Sequence, residues 1–101
     1  MPPKHRLRYL PAAVNDLVTI HDWIANDYPA RARAFIGLID ARIGSLAIHP
    51  RLGRIPRHPK LQAFGYRVLV MESYLVFYLI RGRTVEIHRV IHGSRHLDDI
   101  V

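Results

Sequence analysis

The segment EIHRVIHGSRHL, residues 86–97, holds the side chains of this chain that are best suited to chemistry. Three histidines, His88, His92 and His96, follow one another at intervals of four residues, with arginines between them. On a helix this spacing would stack the imidazole rings on one face, as in a zinc site. The segment therefore raises three hypotheses: a metal site, a catalytic centre and a basic binding rim.

The local pattern favours a β-strand, which argues against the metal site. The stretch TVEI alternates apolar with polar residues, Val90 and Ile91 are β-branched, and Gly93 interrupts the run. In a strand, His88 and His92 share a face but lie ~13 Å apart, at about 3.3 Å per residue. Metal–nitrogen bonds of about 2 Å cannot span that separation. We therefore expect no metal site here.

The end of this strand could serve catalysis or binding. RNA cleavage needs groups that move protons and groups that stabilise charge on phosphorus, for which histidine and arginine are suited. Arg67, in a neighbouring strand, could complete such a set with His92 and Arg95. The chain has no cysteine and no serine in a G-x-S-x-G motif, so these features do not support a serine or cysteine nucleophile.

Length and charge limit the remaining possibilities. The 101 residues suit a single domain spanning 1–101. No apolar run is long enough to cross a bilayer and the first residues lack a secretory h-region, so we predict a cytoplasmic protein with no membrane span. Fifteen Lys and Arg against eight Asp and Glu give a net charge of +7. Such a charge indicates a polyanionic partner: nucleic acid, an anionic membrane surface or an acidic protein segment.

The elements that would position these residues form an α+β domain. Residues 5–10 alternate apolar with polar residues, which predicts a first strand. Apolar residues at steps of three and four then predict two helices, from Pro11 to Asn26 and from Pro29 to before Pro50. Three further strands are predicted at residues 66–71, 74–81 and 84–92. The predicted buried stripes of the helices are Val14, Leu17, Ile20, Ile24 and Tyr28, then Ala32, Phe35, Ile36, Ile39, Ile43 and Leu46. We therefore predict an N-terminal strand, an antiparallel helical hairpin and a three-stranded antiparallel meander, with the hairpin packed on one face of the sheet.

The segment between the hairpin and the meander, residues 49–60, has a different character. Its sequence HPRLGRIPRHPK contains three prolines and a glycine, which predict that regular secondary structure is absent. Basic residues recur at every third position: Arg51, Arg54, Arg57 and Lys60. A polyproline-like conformation would align them along one edge, and the alternative is a solvated surface loop.

The sheet has two apolar faces, and one hairpin can cover only one of them. Leu75, Phe77 and Leu79 point away from the face that carries Val76 and Tyr78. An uncovered apolar face often marks a partner site. Alternatively, the C-terminal residues or the basic segment could fold across it.

The order of elements and several motifs resemble the ParE/RelE toxin superfamily, the toxin half of bacterial toxin–antitoxin modules. The resemblance covers almost the whole chain and rests on PAAVNDLVTIHDWI, SLAIHPRLGR, GYRVLV, YLVFYLI and VEIHRVIHGSRHL. The last of these is similar to the terminal I-x-R-V-L-H-x-x-R signature of the family, with Ile91 in place of leucine. The resemblance implies a toxin used in plasmid maintenance or stress responses and neutralised by an antitoxin, with an acidic antitoxin complementing the charge.

In this family the antitoxin wraps over the helical hairpin and the sheet, so the resemblance implies where it binds. The residues expected to contact it are Leu17, Ile24, Tyr28, Phe35, Leu75, Phe77 and Leu79. The complex would be a hetero-oligomer, and no cofactor is expected.

Two activities occur in the superfamily, and the sequence matches one of them better. RelE-like members cleave mRNA on the ribosome, and Arg67 and Arg95 match their two arginines. The RelE-like lysines are unmatched, and the terminal tyrosine position falls at Val101. The pattern is therefore more similar to ParE-like members, which inhibit DNA gyrase without chemistry of their own. The expected target contacts are Arg51, Arg54, Arg57, Lys60, His92, Arg95 and His96.

Two alternatives stay open. The first is a ribosome-dependent mRNA endoribonuclease that uses Arg67, His92 and Arg95. The second is a basic nucleic-acid-binding module without toxicity.

Overall fold

A computed structural model of the protein describes residues 4–94. Its elements are β1 (Arg6–Tyr9), α1 (Pro11–Ala25), α2 (Pro29–Gly44), a 3-10 turn (Ser45–Ala47), α3 (Pro59–Ala63), β2 (Arg67–Met71), β3 (Tyr74–Arg81) and β4 (Thr84–His92). Proline occupies the first turn of each α-helix, where its missing N–H has no intrahelical partner to lose. In the described part of the chain, no helix is long and apolar enough to cross a membrane.

The four strands form one sheet in the order β1-β4-β3-β2. The antiparallel pairing of β2 with β3 and of β3 with β4 confirms the predicted meander. β1 lies at one edge and runs parallel to β4, and the helices carry the chain from β1 across the sheet to β2 at the opposite edge. The α+β architecture with a hairpin on one face is therefore confirmed.

The main core lies between the hairpin and the sheet. The stripe predicted for α2 is correct, with Ala32, Ile39 and Ile43 fully buried. The stripe predicted for α1 is wrong at its two ends, since Val14 is 47% exposed and Tyr28 is 59% exposed. A small residue, Ala13, takes the buried position at the start of α1 instead. Periodicity alone did not distinguish a small buried residue from the larger apolar residue beside it.

The opposite face of the sheet, which we call the rear face, is covered in part by the segment that precedes β2. Leu61 of α3 is fully buried and packs in a second cluster with Val68, Phe77 and Ile91. The prediction that residues 49–60 lack regular structure is therefore wrong at their end, because Pro59 begins α3. Of the alternatives left open for the rear face, cover by the segment that precedes β2 therefore applies in part.

A β-bulge in β4 changes the orientation of its histidines. Phe77 pairs with Arg89 whereas Tyr78 pairs with Ile87, so His88 has no partner across the strand. His88 contacts Tyr66 at the rear cluster, and His92 contacts Tyr74 on the hairpin side. The prediction that His88 and His92 share a face is wrong, because the extra residue reverses the alternation.

One carboxylate joins α1 to the middle of β4. β1 pairs with β4 only as far as Ile87, so the outer edge of β4 lacks a strand partner beyond that point. Asp16 fills this gap: its carboxylate accepts hydrogen bonds from the Val90 backbone N–H at 2.9 Å and from Arg89 Nε at 2.7 Å and Nη2 at 2.9 Å. The hydrogen bond to Asp16 raises the pKa of the Arg89 guanidinium, against the opposing effect of its burial. These hydrogen bonds hold α1 in a fixed position against β4.

The segment before α3 is tied to the sheet by Tyr78, which is fully buried. Its hydroxyl donates to the Pro50 carbonyl oxygen and accepts from the Gly53 N–H, both at 2.8 Å. Burial raises the pKa of this phenol, although the Gly53 N–H and the Arg67 charge act in the opposite direction. Gly53 has no room for a side chain, because a Cβ there would lie 2.6 Å from the Tyr78 hydroxyl.

Replacing Asp16 by alanine should destabilise the fold by about 2–3 kcal/mol, because it leaves the Arg89 charge and the Val90 N–H without their acceptor. Urea unfolding measures the change. The matched control is Asp22→Ala on the same helix, since the Asp22 side chain is 71% exposed. The control should alter stability by less than about 0.5 kcal/mol. Equal losses in the two variants would contradict the role given to Asp16.

Two glycine-to-alanine substitutions should have opposite effects. Gly53→Ala should destabilise the protein by about 1–3 kcal/mol, since the new methyl group would clash with Tyr78 and with the backbone of Val68. Gly37→Ala should stabilise it by about 0.5–1 kcal/mol, because Gly37 lies inside α2 with nothing within 4 Å of the added carbon. Thermal unfolding of both variants measures these changes. If Gly53→Ala leaves the stability unchanged, the segment before α3 is not held tightly against Tyr78.

Candidate functional site

A groove of about 860 Å³ runs where the turn between α1 and α2 meets the sheet. We call it the hairpin groove. Its walls are the end of α1, the start of α2, the β2–β3 turn and the end of β4. Several large side chains in it face solvent: Trp23 is 76% exposed, and Tyr28 and Leu38 are more than half exposed. Exposed aromatic residues around a concave apolar surface are typical of a protein-binding site.

The floor of the hairpin groove is a row of packed rings. Phe35 lies 5.4 Å from Tyr74, and Tyr74 lies 5.3 Å from His92 in an edge-to-face arrangement. At the rim, the Arg31 guanidinium sits 5.3 Å above the Tyr28 ring. The rings are held at defined positions, so a partner would meet a largely preformed surface.

The β2–β3 turn brings a strained residue to the same groove. Glu72 has a φ of 53°, in the left-handed region that non-glycine residues rarely adopt. The two residues Glu72 and Ser73 connect the strands, and the Ser73 carbonyl accepts a hydrogen bond from the Gly93 N–H at 2.7 Å. The turn is therefore fixed against the end of β4.

The structure divides the residues that the resemblance assigned to the antitoxin. Ile24, Tyr28 and Phe35 line the hairpin groove together. Leu17 packs against the main core instead. The other three, Leu75, Phe77 and Leu79, belong to the rear face, where Phe77 is fully buried. Sequence reasoning missed Trp23, because it lies off the apolar stripe of α1.

A second groove, of about 580 Å³, lies on the rear face between the basic segment and β2 and β3. Its floor is formed by Val68, Leu75 and Phe77, and its walls include Arg54 and Arg57. Arg54 is held by an isolated antiparallel bridge to Val68. Two of the expected target-contacting residues therefore border an apolar floor, whereas Arg51 and Lys60 are exposed outside this lining.

The structure describes two of the three candidate catalytic residues, Arg67 and His92, and places them far apart. Arg67 donates from Nη1 to the Gly53 carbonyl oxygen at 2.8 Å, and so helps to anchor the basic segment. His92 lies four residues further along the sheet and two strands away, ~16 Å from Arg67 by strand geometry. His92 instead belongs to the hairpin groove. Arg95 and His96 lie outside the described residues.

A polar network on the rear face was not anticipated from the sequence. Tyr66 Oη lies 3.0 Å from His88 Nδ1, and His88 Nε2 lies 3.3 Å from Glu86 Oε1. Glu86 also accepts a hydrogen bond from Arg81 Nε at 2.8 Å. Burial raises the pKa of the Tyr66 phenol. Partial burial would raise the pKa of Glu86 as well, but hydrogen bonds from His88 and Arg81 outweigh it and hold that pKa below its usual value.

Comparisons with known proteins agree with the geometry. The family model described as ParE toxin of type II toxin–antitoxin system, parDE, matches residues 7–97. No curated protein matches the chain by sequence. The chromosomal ParDE toxin–antitoxin system from P. aeruginosa contains a similar chain, at a TM-score of 0.77 and 20% identity, with 92% of this chain and 100% of that chain covered.

A chain of the RelBE2 toxin–antitoxin complex from Mycobacterium tuberculosis is also similar. The TM-score is 0.61 at 24% identity, over 88% of this chain and 98% of that one. At these identities the two structures show the fold that the chain shares with them.

Proposed function

Since the chain belongs to the ParE toxin family of type II toxin–antitoxin systems, we propose that an antitoxin neutralises it through the hairpin groove and that the free toxin inhibits DNA gyrase. The observation that carries the first part is the cluster of exposed aromatic and apolar side chains in that groove. The solved relatives are toxin–antitoxin complexes, which supports an antitoxin as the occupant.

The shape of the groove favours an amphipathic helix or an extended apolar segment of the antitoxin. Trp23, Tyr28 and Leu38 offer the kind of anchors that carry most of the binding energy in protein interfaces. Arg31 at the rim suits an acidic residue of the antitoxin beside these anchors.

Inhibition of gyrase is favoured over ribosome-dependent cleavage of mRNA. The family assignment supports it, and the candidate catalytic arginine Arg67 is engaged with the Gly53 carbonyl. On the rear face, Arg54 and Arg57 border an apolar floor, and we propose that this second groove contacts gyrase. A toxin of this kind binds its target and performs no chemistry itself.

Loss of the groove's exposed rings should release the antitoxin. The double variant Trp23→Ala/Tyr28→Ala should bind the antitoxin encoded beside the toxin about 30-fold more weakly or worse, because the two rings together should contribute at least about 2 kcal/mol. Isothermal titration measures the affinity. The matched control is Val14→Ala/Val18→Ala, which removes exposed apolar groups of α1 outside the groove. An equal loss in the control would contradict binding at the hairpin groove.

The purified toxin should inhibit gyrase supercoiling and should accumulate cleaved DNA. Arg54→Gln/Arg57→Gln should raise the toxin concentration that gives half-inhibition about tenfold, because two cationic contacts at the second groove are lost. Arg33→Gln/Arg42→Gln, which removes the same charge from α2, should leave inhibition unchanged. Supercoiling that continues at saturating toxin would reject the gyrase proposal. Codon-positioned mRNA cuts in a translating extract would replace it with the ribonuclease alternative.

A further inference from the structure

The rear face carries a set of arginines that neither groove includes. Cross-strand partners share a face, and the register places Arg6, Thr84 and Arg81 in one row across β1, β4 and β3. The next row holds Arg8 and Glu86. The alternate residues of β1, Leu7 and Tyr9, pack against the main core, so Arg6 and Arg8 point to the rear face. We call these five rear-face residues, Arg6, Arg8, Arg81, Thr84 and Glu86, the arginine face.

The arginine face is held in place by Glu86, whose side chain is largely buried. Arg81 uses Nε to donate to this carboxylate at 2.8 Å, and Arg8 Nη1 lies 3.9 Å from it. The Nη groups of Arg81 are not used in that contact, and its side chain is about two-thirds exposed. A guanidinium anchored through Nε presents its outer edge to an incoming phosphate with less loss of conformational freedom.

The excess positive charge of the chain lies away from the helical hairpin. Residues 11–44 carry four acidic and three basic side chains, whereas residues 4–10 and 45–94 carry eleven basic and only two acidic ones. The hairpin is therefore nearly neutral, as suits a protein partner. The sheet and its preceding segment produce the positive field, which attracts polyanions.

An exposed aromatic residue immediately precedes a point where the chain contacts the sheet next to the arginine face. Phe64 follows α3 and is 64% exposed. The next residue, Gly65, lies against the sheet beside the arginines: a Cβ there would be 3.8 Å from Leu79, which pairs with Glu86. Within the described residues no other aromatic side chain that is more than half exposed lies on the sheet or on the segment that precedes it.

We propose that the arginine face and Phe64 together bind single-stranded nucleic acid. By strand geometry, the Cα atoms of Arg6 and Arg8 lie about 7 Å apart along β1, and those of Arg6 and Arg81 lie about 10 Å apart across the sheet, so these long side chains can reach successive phosphates of an extended chain. Phe64 supplies a π-face on which an unpaired base can stack. A duplex cannot use that face, because its bases are already stacked. This activity lies beyond antitoxin and gyrase binding and is independent of both.

The test is fluorescence anisotropy of the purified chain with labelled oligo-dT and oligo-U of about 12 nucleotides, and with a duplex of the same length. The single strands should bind more tightly than the duplex, and comparison of the two single strands shows whether DNA or RNA is preferred. Arg8→Gln/Arg81→Gln should weaken binding about tenfold and should reduce the slope of log K against log salt by about 1.4, since each lost phosphate contact contributes about 0.7. Phe64→Ala should weaken binding about fivefold or more.

Matched controls lie on the opposite side of the molecule. Arg33→Gln/Arg42→Gln removes the same charge from α2, and Trp23→Ala removes an exposed ring from the hairpin groove. Both should leave oligonucleotide affinity and its salt slope unchanged. The proposal is overturned if the α2 variant weakens binding as much as Arg8→Gln/Arg81→Gln, which would indicate a diffuse effect of net charge. A preference for the duplex, or unchanged binding by Phe64→Ala, would overturn it as well. None of these readouts depends on gyrase or on the antitoxin.

Discussion

The carboxylate of Asp16 holds the helical layer against the sheet. It accepts a hydrogen bond from the Val90 N–H of β4, at a point beyond the end of β1, and it pairs with the neighbouring Arg89. The hairpin is thereby fixed against the sheet, with the turn between α1 and α2 close to the β2–β3 turn. The hairpin groove exists because these two turns lie together. A single acid on a helix therefore determines where the aromatic residues of α1 and α2 can meet those of β3 and β4.

The two sides of the sheet differ in charge and in how they are covered. The hairpin side is close to neutral and ends in exposed rings, whereas the rear side is basic and is closed in part by Leu61 and the segment that precedes it. Such a division would allow an antitoxin to bind the hairpin side of the toxin while the basic rear side stays available to attract polyanions. It also explains how a chain with a charge of +7 can present an apolar surface to a protein partner.

The sequence was sufficient for the four strands, the two long helices and their order, but not for α3 or for the contents of the sites. Strong alternation gave β3 and β4 at their observed limits, and spacing gave the buried stripe of α2. The bulge at His88 could not be predicted from the sequence, because one extra residue leaves the hydrophobic pattern of β4 almost unchanged. That residue nevertheless moves the side chains on one side of the bulge to the opposite face of the sheet. A segment rich in proline predicts irregular structure, so the pattern does not indicate α3 or the cover it supplies, although proline is also suited to the first turn of a helix, as Pro59 is here. Tertiary contacts such as Asp16 with Arg89 join residues 73 positions apart, and local patterns carry no information about them.

We expect the antitoxin to occupy the hairpin groove and to leave the arginine face open. Hydrogen–deuterium exchange of the free toxin and of its complex can decide this, since it reports protection segment by segment. Exchange should be slower in residues 23–38 and 72–74 of the complex, with residues 6–8 and 81–84 unchanged. Protection confined to residues 6–8, 64–66 and 81–84, with the hairpin unaffected, would contradict it.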